Sequence, residues 1–515
     1  MDQVIRGAAV YDGSGAAAFE ADVAIVGERI GAVGLLEARA PVEIDGRGLA
    51  LAPGFIDVHT HDDFAVRLHP DMAFKTRQGV TTCVVGNCGF GAAPWPVAER
   101  AARSFFHPGA KIPRWEGYAG YLQGLERDPA ATNTAALVGH GTVRGAVLGA
   151  ASRAPDAGEL RAMRAGVDEG VSAGAVGLST GLIYPPGRHA ATGELVELAG
   201  AFREGGGLYA THMRDEGEGL LEAVEEALEI GRRAGVPVQI SHHKASGRRA
   251  WGLVRASLAR LERARAEGLD VMADQYPYTA GSTSLQAVEG WIQGEGGTAP
   301  LEPEAVQICS CPSSPEYEGL RLDEVATRRG ETPRQAARAL VQADGPGVIV
   351  ALHSMDEADV RRVMAHPTTM IGSDGIPALD GKPHPRLYGT FPRVLGRYVR
   401  ELGLLSLEQA IHRMTGMPAE RFGLVDRGRI VPGAFADLVL FDPEQIRDVG
   451  TFEDPKRPPE GIRGVWVNGR SVVRDTEPTG ARPGKPLRRG SPTAEKSSAR
   501  ARSLGSRPTR APDVG

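Results

Sequence analysis

The stretch GFIDVHTHDD, residues 54–63, reads as a short buried strand that runs into two histidines, His59 and His61, and then into acidic residues. Residues two apart on an extended chain point to the same side. Two imidazoles so placed at a strand end can share one divalent cation, at about 2.0–2.1 Å for each bond to zinc. Seven further segments of like character follow: TTCVV at 81–85, TAALV at 134–138, AVGLS at 175–179, LYATH at 208–212, PVQIS at 237–241, DVMAD at 270–274 and TTMIG at 368–372. Most are separated by helical patterns. GLLEAVEEALEIGRRAG, 219–235, has apolar residues at helical spacing and a glycine stop.

Eight strand–helix units in series predict an α/β fold, a parallel (β/α)₈ TIM-like barrel. A doubly wound open sheet would use fewer strands and a phosphate-binding glycine loop. The barrel domain is expected over 53–425. Residues 1–52 and 426–480 instead alternate apolar residues with Gly and Asp turns, as in EADVAIVGERIGAVG and GVWVNGRSVVRD. They predict one small β-sandwich domain built from both termini. The long interval before the eighth strand, about 285–367, predicts an inserted lid region, in which GPGVIVALHSM offers one more strand.

Composition bounds what such a chain does. Its 515 residues suit a barrel with a second domain, and 42% hydrophobic with 24% charged residues suits a soluble globular protein. The 68 Gly and 36 Pro are interleaved with apolar runs, so they mark turns. Residues 481–515 hold nine Lys/Arg against two Asp/Glu and predict a basic disordered tail; the other 480 residues then carry a net charge of −12. An acidic body argues against a nucleic-acid partner. No apolar run of about 18 residues is present, so no membrane span is expected. The four cysteines, Cys83, Cys88, Cys309 and Cys311, are too few and too clustered for a disulfide framework, and the first residues lack an apolar signal core. A cytoplasmic location is the expectation.

The metal reading rests on recurrence. His212 ends the fifth predicted strand, His242 follows the sixth, and Asp374 follows the eighth. Groups on separate strands of a barrel meet at one rim. His243 competes with His242, but neighbours on an extended chain face opposite sides; we favour His242, directly after the apolar run and Ser241. Cys88 sits just past the second strand, where a thiolate can ligate zinc or bridge two ions, the alternative being a buried free thiol. Cys83 lies within a strand and is assigned to the core. Cys309 and Cys311 have no partner pair to complete a zinc site.

The motifs HTHDD, VGNCG, GLSTGLIYPPG, ATHMRDEG, ISHHK, YPYTAGST, MIGSDG and PHPRLYGTFPRVL resemble those of the D-aminoacylases (N-acyl-D-amino-acid deacylases) of the amidohydrolase superfamily. The resemblance spans roughly residues 1–475 and is weakest over 285–350. It implies His59, His61, Cys88, His212 and His242 as ligands of one or two zinc ions, and Asp374 as catalytic acid/base. Cys88 would stand where many related hydrolases use a carboxylated lysine, and the fourth strand, GAVGLSTG, has no lysine. That departure weighs against a cyclic amidase of the hydantoinase or dihydroorotase kind. The resemblance further implies substrate contacts from Tyr184, Tyr276, Ser282 and Arg386; a guanidinium suits a carboxylate. His140 and His353 match no ligand position and are assigned structural roles. The implied reaction is hydrolysis of an N-acyl-D-amino acid, a small molecule, to a carboxylate and a free D-amino acid. The preference for the D form comes from the resemblance alone. A non-catalytic barrel scaffold would be expected to lose ligands, and none of these is lost.

Overall fold

The structure, a computed structural model, describes residues 1–103, 111–292 and 301–489. Its centre is a sheet of eight parallel strands: Phe55–Asp57, Val80–Val85, Asn133–Gly139, Gly177–Gly181, Leu208–His212, Val238–Ile240, Val271–Gln275 and Thr369–Ile371. Each falls on one of the eight segments read from the sequence. The strands pair in chain order, so first meets second and seventh meets eighth. The first and eighth meet past their ends, at a bridge between Thr60 and Gly375. There His61 N donates to Gly375 O at 3.0 Å, and Asp374 N donates to His59 O at 2.7 Å.

Strands buried on both faces need side chains that tolerate burial on both, and Val80–Val85 and Asn133–Gly139 are buried throughout. The helices supply the outer layer. Leu220–Ala234 buries Leu220, Val224, Ala227, Leu228 and Ile230 on one stripe and stops at Gly235, which adopts φ 70°. Ala157–Ala173 starts at an Asp156 capping box with Glu159.

Both termini build one nine-stranded sheet. Gln3–Val10 lies near its middle, and Ala50–Pro53 runs antiparallel to Leu438–Phe441, which zips the two ends of the chain together. Ile5, Val23, Ile25, Leu51, Leu438, Leu440 and Trp466 form its own core.

The interval before the eighth strand holds a three-stranded antiparallel sheet of Gly281–Ser284, Ile349–Leu352 and Val306–Ser310. GPGVIVALHSM supplies its central strand. Leu285, Ile308, Leu322, Val325, Leu340 and Val350 give this unit a separate core. Its limits differ from the expected 285–367. It begins at Gly281, and helix Glu357–Ala365 belongs to the barrel's outer layer, packed on helix Val254–Ala266.

The basic tail also begins later than its composition predicts. Pro486–Leu487 pair in parallel with Thr134–Ala135 at the start of the third barrel strand. Asn468 Nδ2 donates to Pro483 O at 2.7 Å, and Arg488 pairs with Glu126 at 2.7 Å. Arg482, Lys485 and Arg488 thus face Asp128, Glu28 and Glu126, while Arg489 Nε donates to Gly205 O. Residues 490–515 lie outside the described residues. Among the described residues, no helix is long and apolar enough to cross a membrane.

Candidate metal centre

The expected ligands meet at the carboxyl ends of the strands. His59 and His61 lie in the turn after the first strand, Cys88 just past the second, His212 at the end of the fifth, His242 just past the sixth and Asp374 just past the eighth. All six are buried. Cys88 Sγ is 3.3 Å from His59 Nε2 and 3.5 Å from His242 Nε2. His242 Nε2 is 2.9 Å from His212 Nδ1. Asp374 Oδ1 is 3.2 Å from His61 Nε2 and 3.5 Å from His59 Nε2.

These atoms form two donor groups, His59–His61–Cys88–Asp374 and Cys88–His212–His242. Cys88 belongs to both. Three of the six residues hold the left-handed backbone, Cys88 at φ 53°, His242 at φ 36° and Asp374 at φ 50°. Such a conformation costs an L-residue roughly 1–2 kcal/mol and clusters where a site demands it.

The donors fit a divalent zinc-like cation. Imidazole nitrogens and a sulfur converge from four strands, with a carboxylate from a fifth, and softness and number both suit zinc. His212 Nε2 is buried without a hydrogen-bond partner, 3.6 Å from Glu216 Oε2. Burial opposes ionisation of the Cys88 thiol, yet His59 and His242 beside it hold its pKa well below the usual thiol range. Burial likewise opposes the Asp374 carboxylate, but Arg386, His242 and His59 keep it well below the usual carboxylate range, hence ionised.

Second partners aim the imidazoles. Asp274 Oδ1 lies 3.1 Å from His59 Nδ1 and accepts from His242 N at 2.8 Å, while its Oδ2 accepts from Gln239 Nε2 at 2.7 Å. A proton held at His59 Nδ1 leaves Nε2 free as a donor atom. Glu216 Oε1 lies 3.0 Å from His242 Nδ1 and accepts from Lys244 Nζ at 2.6 Å. Lys244 Nζ is also 3.0 Å from His242 Nδ1. When His242 gives Nε2 to a metal ion, its Nδ1 carries the proton, and the ionised Glu216 is then the acceptor it shares with Lys244. The sequence reading passed over these residues. Asp274 ends the seventh strand and was open to the same strand-end argument; Glu216 and Lys244 stand inside ATHMRDEG and ISHHK, which were read for their histidines alone.

Of the two adjacent histidines, His242 faces the donor group. His243 turns the other way, with Nε2 2.8 Å from Ser257 Oγ on helix Val254–Ala266, and burial depresses its pKa to about 4. His140 pairs with Glu194 at 2.8 Å, and His353 lies 3.1 Å from Gln307 Oε1. Cys83 is buried in the second strand; Cys309 and Cys311 are buried in the inserted unit and join no donor group among the described residues.

Arg386 stands beside the centre. Its Nη1 is 3.0 Å from Asp374 Oδ2, its Nη2 donates to Ser282 O at 3.3 Å, and its guanidinium lies 4.6 Å over the Tyr276 ring. Nη1 is near enough to pair charges with Asp374 but is not aligned for a hydrogen bond, and Nε has no acceptor either. Ser282 Oγ is buried and unpartnered. Tyr276 OH points to Met355 Sδ at 3.5 Å. Tyr184 lies across the centre, its ring 4.9 Å from His212 and its hydroxyl 3.2 Å from Thr283 Oγ1. Two surface cavities, of about 310 and 190 Å³, lie away from the centre: one is lined by Gly13, His412 and Arg429, the other by His69, Phe74 and Pro458.

The end of the fourth strand is crowded by the Cys88 loop. Cys88 O lies over Gly181, where a Cβ would sit 2.1 Å from it, and Ser179 Oγ accepts from Gly89 N at 3.1 Å. The loop that delivers the thiolate occupies the end of that strand.

The profile of the amidohydrolase family matches residues 42–368 and 358–473. A D-aminoacylase of Alcaligenes xylosoxydans xylosoxydans is 45% identical over 490 residues, covering 95% of this chain and 98% of that protein. An N-acyl-D-glutamate deacylase of the same organism is 43% identical over 491 residues, covering 95% and 97%. The crystal structure of N-acyl-D-glutamate deacylase from Bordetella bronchiseptica, complexed with zinc and a phosphonate mimic of the tetrahedral intermediate, matches with a TM-score of 0.86 at 40% identity, over 95% of this chain and 99% of that one.

Proposed function

Since the chain belongs to the amidohydrolase family, we propose that it is an N-acyl-D-amino-acid deacylase, cleaving the amide bond to give a carboxylate and a free D-amino acid. The carrying observation is the placement of Asp374, whose Oδ1 reaches His61 and His59 while its Oδ2 reaches Arg386. One carboxylate thus touches both the metal donors and the cation suited to an amino-acid carboxylate.

In this reading His59, His61, Cys88, His212 and His242 hold one or two zinc ions, and Cys88 is common to both donor groups. Zinc bound there would supply Lewis-acid polarisation of the scissile carbonyl and a lowered pKa for water, toward about 7. Asp374 accepts the proton of the attacking water and passes it to the leaving nitrogen, since an amine anion is a poor leaving group. Its ionised state suits the first of those acts. Arg386 holds the substrate carboxylate through the N–H groups that lack protein acceptors, with Tyr276 and Ser282 beside it and Tyr184 on the facing wall. A cytoplasmic location belongs to the same reading and is supported by four buried cysteines that are all free.

The test is a panel of N-acetyl D- and L-amino acids, with hydantoin beside N-acetyl-D-methionine, assayed with and without added zinc. Turnover of D-substrates that falls on chelation and returns with zinc is expected. Turnover of hydantoin alone, or none with zinc retained, would overturn the proposal.

A further inference from the structure

Lys75 is a buried cation that the reaction above does not use. It lies on the helical turn Ala73–Thr76, between the first two barrel strands, and is 0% exposed. Its Nζ donates to Asp57 Oδ2 at 2.7 Å, to Thr60 Oγ1 at 2.9 Å and to Ser373 Oγ at 2.8 Å. An ammonium has three protons, so each has an acceptor. Asp62 Oδ2 stands 3.3 Å away and accepts from Thr60 Oγ1 at 2.7 Å. Asp57 Oδ1 accepts from Ser373 N at 2.8 Å, and Ser373 Oγ accepts in turn from Gly375 N at 3.0 Å.

These partners belong to two turns. Thr60 separates His59 from His61, and Ser373 precedes Asp374. The turns lie on either side of the seam where the barrel closes; two backbone hydrogen bonds, His61 N to Gly375 O and Asp374 N to His59 O, join them, but the first and eighth strands themselves share no ladder there. Elsewhere a continuous ladder fixes neighbouring strand ends, as between the fifth and sixth strands that carry His212 and His242. Burying a lysine with two carboxylates costs several kcal/mol in desolvation and is weak evidence for stability in its own right. Its placement, in contrast, is specific. Gly375 leaves room for it, since a Cβ there would lie 3.1 Å from Lys75 Nζ.

We propose that Lys75, through Asp57, Thr60 and Ser373, is the positioning residue that locks the His59–His61 turn to the Asp374 turn and so sets the geometry of the four-donor group. The inference rests on the metal reading above, and the test separates the two. Zinc is titrated into metal-free protein in a His212→Ala background, which keeps the four-donor group, and in a His61→Ala background, which keeps the three-donor group. Lys75→Met is combined with Asp57→Asn to reduce the charge left unpaired. The pair should weaken zinc binding at least about tenfold in the first background and less than about twofold in the second. In the otherwise native enzyme it should lower kcat with KM nearly unchanged. Ser373→Ala should act in the same direction by several-fold, and it decides the matter if the double replacement does not fold by circular dichroism. Unchanged zinc affinity in the His212→Ala background overturns the proposal. Failure of the unsubstituted protein to bind zinc overturns the metal reading instead.

Discussion

The two donor groups share Cys88 and are held by different means. His212 ends the fifth strand and His242 lies two residues past the sixth, and these strands are hydrogen-bonded to one another, so the backbone largely sets their spacing while Glu216 and Lys244 aim the His242 ring. His59, His61 and Asp374 face one another across the barrel's seam, where a single backbone bridge is supplemented by the Lys75–Asp57–Ser373 side chains. The lesson is that one rim can be assembled from a part made rigid by hydrogen-bonded backbone and a part made rigid by a buried ionic hub. The second kind is more exposed to single substitutions, because removing one partner leaves a buried charge uncompensated.

The largest effect that would sharpen this contrast is expected at Asp374. Asp374→Asn keeps the shape and removes the base, so kcat should fall by about 10³-fold while the Cys88–His212–His242 group still binds zinc by metal analysis. Near-normal turnover would break the assignment. Next come the aiming carboxylates. Asp274→Asn should weaken zinc binding about 10–100-fold through His59, and Glu216→Gln should do so through His242. Double-mutant cycles with His61→Ala and His212→Ala assign each loss to its group; equal coupling of both carboxylates to both groups would dissolve the contrast.

The smallest effect is at His243, which neighbours the site without joining it. Burial depresses its pKa to about 4, below the unfolded value of about 6.5. The folded state therefore binds fewer protons, and stability present above about pH 6.5 is lost as the pH falls toward 4. His243→Gln should flatten this loss by on the order of 2 kcal/mol, read from Tm against pH, with activity at neutral pH retained.

The barrel was legible because each strand is a short apolar run bounded by turn residues, a local signal that tertiary packing did not need to override. The five histidine and cysteine candidates and Asp374 could be picked out because each stands at or within a few residues of the end of such a run. What was not legible depends on contacts distant in sequence. Lys75 reads as one more charge on a helical turn until Ser373, 298 residues away, is seen to accept from it. The lower edge of the inserted unit was missed because Gly281–Ser284 has no apolar alternation. The start of the tail was missed because Arg and Lys beside Pro read as solvated chain, whereas Arg488 and Lys485 meet Glu126 and Glu28.

The close approach of Cys88 O to Gly181 also bears on redesign. With Cys88 as the proposed bridging anion, the second strand's loop fills the end of the fourth strand, so a lysine there would meet that loop before the cation. Changing Gly181 alone would push that loop aside before a new side chain reached the cation, and changing Cys88 alone would leave nothing in its place. Moving the proposed bridging group from one strand's end to the other would therefore need both positions changed together.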